Sequence, residues 1–293
     1  MIDGGGSSPP GSAGLPPPAR YFPVRPRPYR MEAGLAPFGR DFGNGARDRL
    51  FFQVDAELER YRRAKRRVGA RRHRLLDAGR DRRDCHGAVL EWMRATLRRE
   101  HPGLCAEAPP SYAALAGAVQ EDFAVLRRHA DGRSEAIAVF VSLPSGWRPE
   151  AIGGADFGGI HAPVPGFAEA AAAVDSMVTG MIERGPYVRF VWTVTADDHL
   201  DHHPEEGRRV EWRDARAGWL RVERQVTVPF SAVGASLFLV RTYVYPFASL
   251  ADDERRVLAT AIERMPTAIA DYKRVSPEAR RIVRRLLTPP CRA

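Results

Sequence analysis

The chain has 293 residues, 44% of them apolar, which is enough to bury one large core or two small ones, and its formal charge of +9 sets the isoelectric point near 10.0. No apolar run approaches the ~20 residues of a membrane span, and the N-terminus lacks the charged start and apolar core of a secretory signal, so a cytoplasmic protein with no membrane partner is expected. Three widely spaced cysteines, Cys85, Cys105 and Cys291, argue against a disulfide scaffold, a zinc knuckle or an iron–sulfur cluster.

Residues 1 to 30 are glycine, serine and proline with scattered arginine, a composition that buries too little apolar area to order itself. A disordered tail is expected there, followed by a single domain over 31–293. Between Leu50 and Leu76 the apolar residues Leu58, Tyr61, Val68 and Leu75 recur at near-helical spacing among Arg60, Arg62, Arg63, Lys65, Arg66, Arg67, Arg71, Arg72 and Arg74. This reads as the solvated face of an amphipathic helix, ahead of a docking patch for an acidic electron-transfer partner and ahead of nucleic-acid binding. A second helix is expected from Cys85 to Arg99, with Val89, Leu90, Met93 and Leu97 on one face. A third begins at Ser111 and carries Ala114, Leu115, Val119, Phe123 and Leu126, with Gln120, Glu121 and Asp122 on it.

Glu135 to Val141 changes to strand character, and helix returns from Phe167 to Arg184 with Ala171, Val174, Val178 and Met181 on one side. Three strands follow, Tyr187 to Thr195, Leu220 to Val228 and Ser236 to Tyr245; their short sequential connections favour an antiparallel sheet. Helices from Asp252 to Glu263 and from Pro277 to Leu287 close the chain. The expected class is α+β, an antiparallel sheet with an N-terminal helical section and C-terminal helices.

Two strings stand out. Pro144-Ser145-Gly146-Trp147-Arg148-Pro149-Glu150 is followed by Gly158-Gly159-Ile160-His161-Ala162-Pro163-Val164-Pro165-Gly166, so prolines and glycines fix the backbone around one histidine. His161 is therefore a candidate metal or haem ligand, against the plainer role of capping a turn. Together with Arg189-Phe190-Val191-Trp192, Arg221-Val222-Glu223-Arg224-Gln225 and Val240-Arg241-Thr242-Tyr243, these strings resemble the haem-dependent oxidative N-demethylase family, haem-binding subunit type, from about Gly34 to Lys273.

The resemblance implies a PAS-like fold holding haem b with His161 as the proximal iron ligand. It implies oxidative demethylation of a small amine using O2, with electrons from a separate flavin or iron–sulfur reductase. Two positions depart from the family's pattern: Ala151 and Ile152 stand where a lysine is common, and Val191 stands in place of an asparagine. Both changes bear on substrate contacts rather than on haem retention. A non-catalytic sensor that holds haem or another small molecule is the alternative function.

Side chains on a strand alternate, so Leu220, Val222, Arg224, Val226 and Val228 share one face, while Arg221, Glu223, Gln225 and Thr227 share the other. Arg224 interrupts an apolar face, and Arg241 does the same between Leu239 and Tyr243. A buried guanidinium needs an anion, which haem propionates or protein carboxylates such as Glu223, Glu211 or Asp271 would supply. The candidate catalytic residues are Arg224, Glu223 and Gln225, although a regular strand cannot aim all three into one pocket. The candidate cofactor contacts are His161, Arg189, Trp192, Arg241 and Trp147, the tryptophans packing on a macrocycle or simply in the core.

Asp197-Asp198-His199-Leu200-Asp201-His202-His203 could form an open metal site, but without ligand-spacing motifs around it a solvated loop is the stronger reading. Cys85 beside His86 reads as a buried cysteine ahead of a reactive thiol or a haem thiolate. The chain shows no GxGxxG, GxxxxGK[ST], GxSxG or HExxH motif, so any electrons for oxygen chemistry are expected from another protein.

Overall fold

The computed structural model describes residues 14–27, 29, 33–76, 80–105, 107–167 and 171–288. Its centre is an antiparallel sheet in which five long strands, β3 (Asp122–Arg128), β4 (Ser134–Phe140), β5 (Tyr187–Thr195), β6 (Trp219–Phe230) and β7 (Ala235–Pro246), lie in the order β4-β3-β7-β6-β5. Two-residue strands cap its edges, β1 (Ala36–Pro37) beside β5 and β2 (Arg74–Leu75) beside β4. Counted along the chain, the long strands run second, first, fifth, fourth, third, which is the PAS-like arrangement. The expected α+β class therefore holds.

Helices α1 (Leu58–Val68), α2 (Arg80–Glu100) and α3 (Tyr112–Ala118) form the N-terminal section, and α6 (Asp252–Glu263), α7 (Thr267–Tyr272) and α8 (Pro277–Leu287) the C-terminal one. The face carrying Val222, Val226, Leu237 and Leu239 is buried under both sections: α2 and α3 pack on one half through Val89, Met93 and Leu115, and α6 to α8 on the other through Leu258, Ile262 and Val283. The opposite face is covered differently. Short α4 (Phe157–His161) and α5 (Ala171–Glu183), both inserted between β4 and β5, lie over it with the loop around Trp147. No helix among the described residues is long and apolar enough to cross a membrane.

Three expectations need correction. The helix expected over 50–76 is confined to Leu58–Val68, because residues 51–55 are irregular and Phe51, Gln53 and Asp55 give their backbone amides to Glu100, Glu121 and Gln120. The third helix stops at Ala118, and Asp122 opens a strand. Gln120, Glu121 and Asp122 are all buried, accepting from the amides of Asp55, Gln53 and Leu143, so distant partners override a locally helical pattern. Finally, the tail expected over 1–30 does not extend through its second half. Ala19, Tyr21 and Val24 are buried against Tyr243, Tyr245 and α6, and the Tyr21 hydroxyl donates to Asp48; residues 1–13, 28 and 30 lie outside the described residues, as does Cys291.

The arginine-rich helix is amphipathic as expected: Leu58, Tyr61, Lys65 and Val68 are buried while Arg63, Arg66 and Arg67 are exposed. Lys65 is the exception among its cations, held 3.0 Å from Asp122 inside the protein. Cys85 sits in the apolar cluster with Val89 and Met93, the environment of a structural cysteine.

Candidate functional site

β6 pairs with β5 and β7 without a register break, so its alternation is strict and the candidate residues divide between two faces. Arg224, Arg241 and Trp192 fall on the face under the N- and C-terminal sections. Arg241 donates to Asp55 at 2.8 Å, both side chains buried, and lies 3.9 Å from the Tyr61 ring centroid. Its anion is thus a protein carboxylate, though not one of the three expected from sequence. Arg224 donates to the Leu50 carbonyl at 2.9 Å and lies over Phe38. Trp192 packs in the core with its indole against Tyr29. These three side chains do not reach the face that α4 and α5 cover.

Glu223, Gln225 and Arg189 do. Gln225 lies opposite Arg189, and Glu223 opposite Val191, on adjacent strands. Arg189, Val191, Thr193, Glu223, Gln225 and Val240 are only half-buried at the middle of a sheet partly covered by α4 and α5, and the strip they form is the candidate cleft. Among the described residues, several buried polar atoms on this face have no hydrogen-bond partner: Nε of Arg189 and the hydroxyls of Thr193, Thr227 and Ser236. A wall with unsatisfied donors is built for a polar ligand or ordered water.

His161 ends α4, which starts where Asp156 accepts from the Gly159 amide and is followed by a proline-rich turn closed at Gly166, φ 80°. The imidazole stacks against Phe157 and Phe167, at centroid distances of 4.1 and 5.4 Å. Its Nδ1–H donates to the Phe157 carbonyl at 2.9 Å, which assigns the tautomer and leaves the Nε2 lone pair open. Burial lowers its pKa, and the nearby Arg189 guanidinium opposes protonation further, so the ring stays neutral. Trp147 packs with Ile152 and Ile160 on Ala136, Val139 and Val141, supporting the roof beside His161.

The Glu223 carboxylate is held at both oxygens: Ser145 Oγ donates to Oε1, and Gln225 Nε2 donates to Oε2 at 2.9 Å. Ser145 in turn accepts from Arg221 Nε at 2.8 Å, while the rest of the buried Arg221 guanidinium binds the carbonyls of Leu143, His199 and Leu200. Arg221 was not singled out from sequence, although its i, i+2, i+4 spacing with Glu223 and Gln225 was the available signal. It ties the Pro144–Glu150 loop and the Asp197–His203 loop to one strand.

The second of these loops is only partly solvated, with Asp198 and His199 exposed. Asp197, His202 and His203 are buried; His202 donates to Asp197 at 2.9 Å, His203 to Glu150 at 3.2 Å, and Asp201 takes a bidentate contact from Arg72 at 2.7 and 3.0 Å. Among the described residues no group of three or more His, Cys, Asp or Glu is placed to hold a metal ion. The segment is a clamp on the roof loop instead.

The clamp depends on ionised carboxylates. Burial alone would push Glu150 up, but its own backbone amide, Arg148 and His203 hold it at about 2; burial likewise opposes Asp197, which His202 and two amides also hold at about 2. Groups depressed on folding stabilise the native state above the usual carboxylate range and lose that contribution as pH falls through the folded value. The denaturation midpoint should therefore drop progressively below about pH 4.5 toward 2, and a Glu150→Gln, Asp197→Asn variant should show a flatter profile over that range.

The residues of this face fit haem in kind: an imidazole flanked by Phe157 and Phe167 with Nε2 free to ligate, and the Arg189 guanidinium, which makes no ion pair among the described residues. A search among curated proteins finds no match. A family model spans residues 91–283, from the middle of α2 to α8 and thus the whole cleft, and on that match the chain belongs to the family "haem-dependent oxidative N-demethylase, alpha subunit-like".

Proposed function

We propose that this chain is a cytoplasmic haem b protein that oxidatively demethylates a small amine with O2, taking electrons from a separate flavin or iron–sulfur reductase. The observation that supports the reading is His161, whose Nδ1 donates to the Phe157 carbonyl, leaving Nε2 as the candidate ligand atom, and whose pKa the Arg189 guanidinium helps to lower. His161 would be the axial ligand and Arg189 a partner for a haem carboxylate. Bound haem would supply activation of O2 and oxidation of the carbon next to nitrogen, the methyl group leaving as formaldehyde.

The chain's own residues bind and orient. Glu223, held by Ser145 and Gln225, offers a fixed carboxylate to an ammonium or to the proton that the departing amine takes up. Its rotamer is locked at both oxygens, so no ordering cost falls on binding. In this reading Arg224, which donates to the Leu50 carbonyl on the other face of β6, is given a structural role.

The test is reductant- and amine-dependent oxygen uptake by haem-loaded protein, with formaldehyde measured alongside. Uptake should follow N-methyl content among small amines, and Glu223→Gln should raise the KM for the amine by about tenfold or more while haem content is unchanged. A persistent oxygenated complex with no uptake on any amine would instead favour a sensor.

A further inference from the structure

Among the described residues, Arg221 is a buried cation, 1% exposed, with no direct counter-charge. Its partners are one hydroxyl and three carbonyls: Nε donates to Ser145 Oγ at 2.8 Å, and the terminal nitrogens donate to the carbonyls of His199 at 3.1 Å, Leu200 at 2.8 Å and Leu143 at 3.3 Å. None of these neutralises a guanidinium, and a buried charge left so is costly. Through Ser145 the chain of hydrogen bonds reaches a carboxylate, that of Glu223, two residues further along the same face of β6.

Ser145 can be oriented in one way only. A guanidinium Nε–H has a proton to give and no lone pair to offer, so the serine oxygen accepts there and its single proton is left for Glu223 Oε1. The other carboxylate oxygen accepts from Gln225 Nε2 at 2.9 Å. The backbone that carries the hydroxyl is fixed as well. Ser145 forms a β-bridge with His202, whose amide donates to the Pro144 carbonyl at 3.0 Å, and Arg221 holds a carbonyl from each of the two segments. The electrostatics agree: burial lowers the Arg221 pKa, and among the groups that oppose this Glu223 comes first, ahead of Tyr61, Asp197 and Asp122.

We infer that Ser145 and Arg221 are positioning residues for Glu223. The guanidinium commits the serine proton to the carboxylate, and a charge-assisted hydrogen bond of this kind sets the rotamer of Glu223 before an amine arrives. Neither residue touches substrate. Their part in amine binding rests on the proposed function; the orientation of Glu223 does not.

In haem-loaded protein, Ser145→Ala should raise the KM for dimethylamine about five- to tenfold and lower kcat less, and Ser145→Thr, which keeps a hydroxyl, should restore the parent's value. The same substitution in a Glu223→Gln background should change KM by less than about twofold, because a residue that acts through Glu223 has nothing left to act on. Equal effects in the two backgrounds would mean that Ser145 shapes the roof loop alone, which overturns the inference.

Infrared difference spectra of the protein without substrate separate that outcome from failure of the demethylase reading. Parent minus Glu223→Gln identifies the Glu223 carboxylate band. Ser145→Ala should move this band and Ser145→Thr should return it, while Arg221→Lys, which keeps the charge but lacks the Nε–H, should move it as the alanine does. A band that stays in place in Ser145→Ala or in Arg221→Lys overturns the inference whatever the protein does with amines. A band that moves in a protein that never consumes O2 upholds the positioning of Glu223 and removes only the demethylase reading. Unfolding temperatures near the parent's certify the fold; if Arg221→Lys does not fold, the serine variants decide, with Ser145→Cys, a weak donor, replacing Ser145→Ala where needed.

Discussion

His161→Ala protein will fold and yet show no Soret band at haem concentrations that saturate the parent. The side chain is half-buried at the end of a five-residue helix, and what it holds locally is one hydrogen bond to Phe157 and two ring contacts, so its removal costs little stability. Its loss as a ligand is a different matter. Outer-shell partners of metal ligands already cost about 10–100-fold in affinity when removed, and deleting the ligand itself costs at least as much. Added imidazole should restore part of the band by filling the vacated space beside Phe157 and Phe167. A variant with the parent's Soret position and intensity would assign the axial ligand elsewhere.

The same geometry gives a pH dependence. An imidazole ligates only when neutral, and burial together with Arg189 lowers the His161 pKa below its ordinary value. Haem should therefore stay bound to pH values below the usual imidazole range and be released as His161 protonates.

Asp55→Ala will destabilise the protein by about 3–5 kcal/mol, because it leaves the buried Arg241 guanidinium without its carboxylate. Asp55 also accepts from Gln120 Nε2 and from the Glu57 amide, both at 2.9 Å, so the substitution unties the extended segment before α1 from the start of β3. Urea denaturation should show a lower midpoint with a similar slope. Replacing both partners, as in Asp55→Leu with Arg241→Met, should recover much of the loss, since an apolar pair asks for no compensating charge. Haem binding at temperatures where the single variant is folded should match the parent's. An Asp55→Ala protein that kept its stability but lost haem would return Arg241 to the cofactor site.

Residues 121 to 126 show where local pattern misleads. Phe123 and Leu126 continue the helical spacing of Leu115 and Val119, yet β3 begins at Asp122 because Gln53, Asp55 and Leu143 satisfy their amides on this polar triplet. None of those partners is nearby in sequence. The buried Tyr21 is similar: proline-rich surroundings suit an unfolded tail, but Asp48, Gln53 and Tyr245 offer hydrogen bonds that only the folded sheet assembles.

What the amino-acid sequence determined by itself was whatever rests on local periodicity. Four of the five long strands, β4 to β7, and the opposite faces of β6 were readable, because alternation operates within a few residues; β3 read as helix, and His161 ends the short helix α4 instead of standing in the expected loop. The tertiary structure decided which face of the sheet became the cleft. Both faces of β6 carry charge, and only the packing of α2, α3 and α6 to α8 against one of them, and of α4 and α5 over the other, sends Arg224 and Arg241 to structural duty and leaves Arg189, Glu223 and Gln225 around the cleft. Charge and polarity along a strand say that a partner is needed, whereas its identity, Asp55 for Arg241 and the Leu50 carbonyl for Arg224, depends on residues far apart in the chain being brought together.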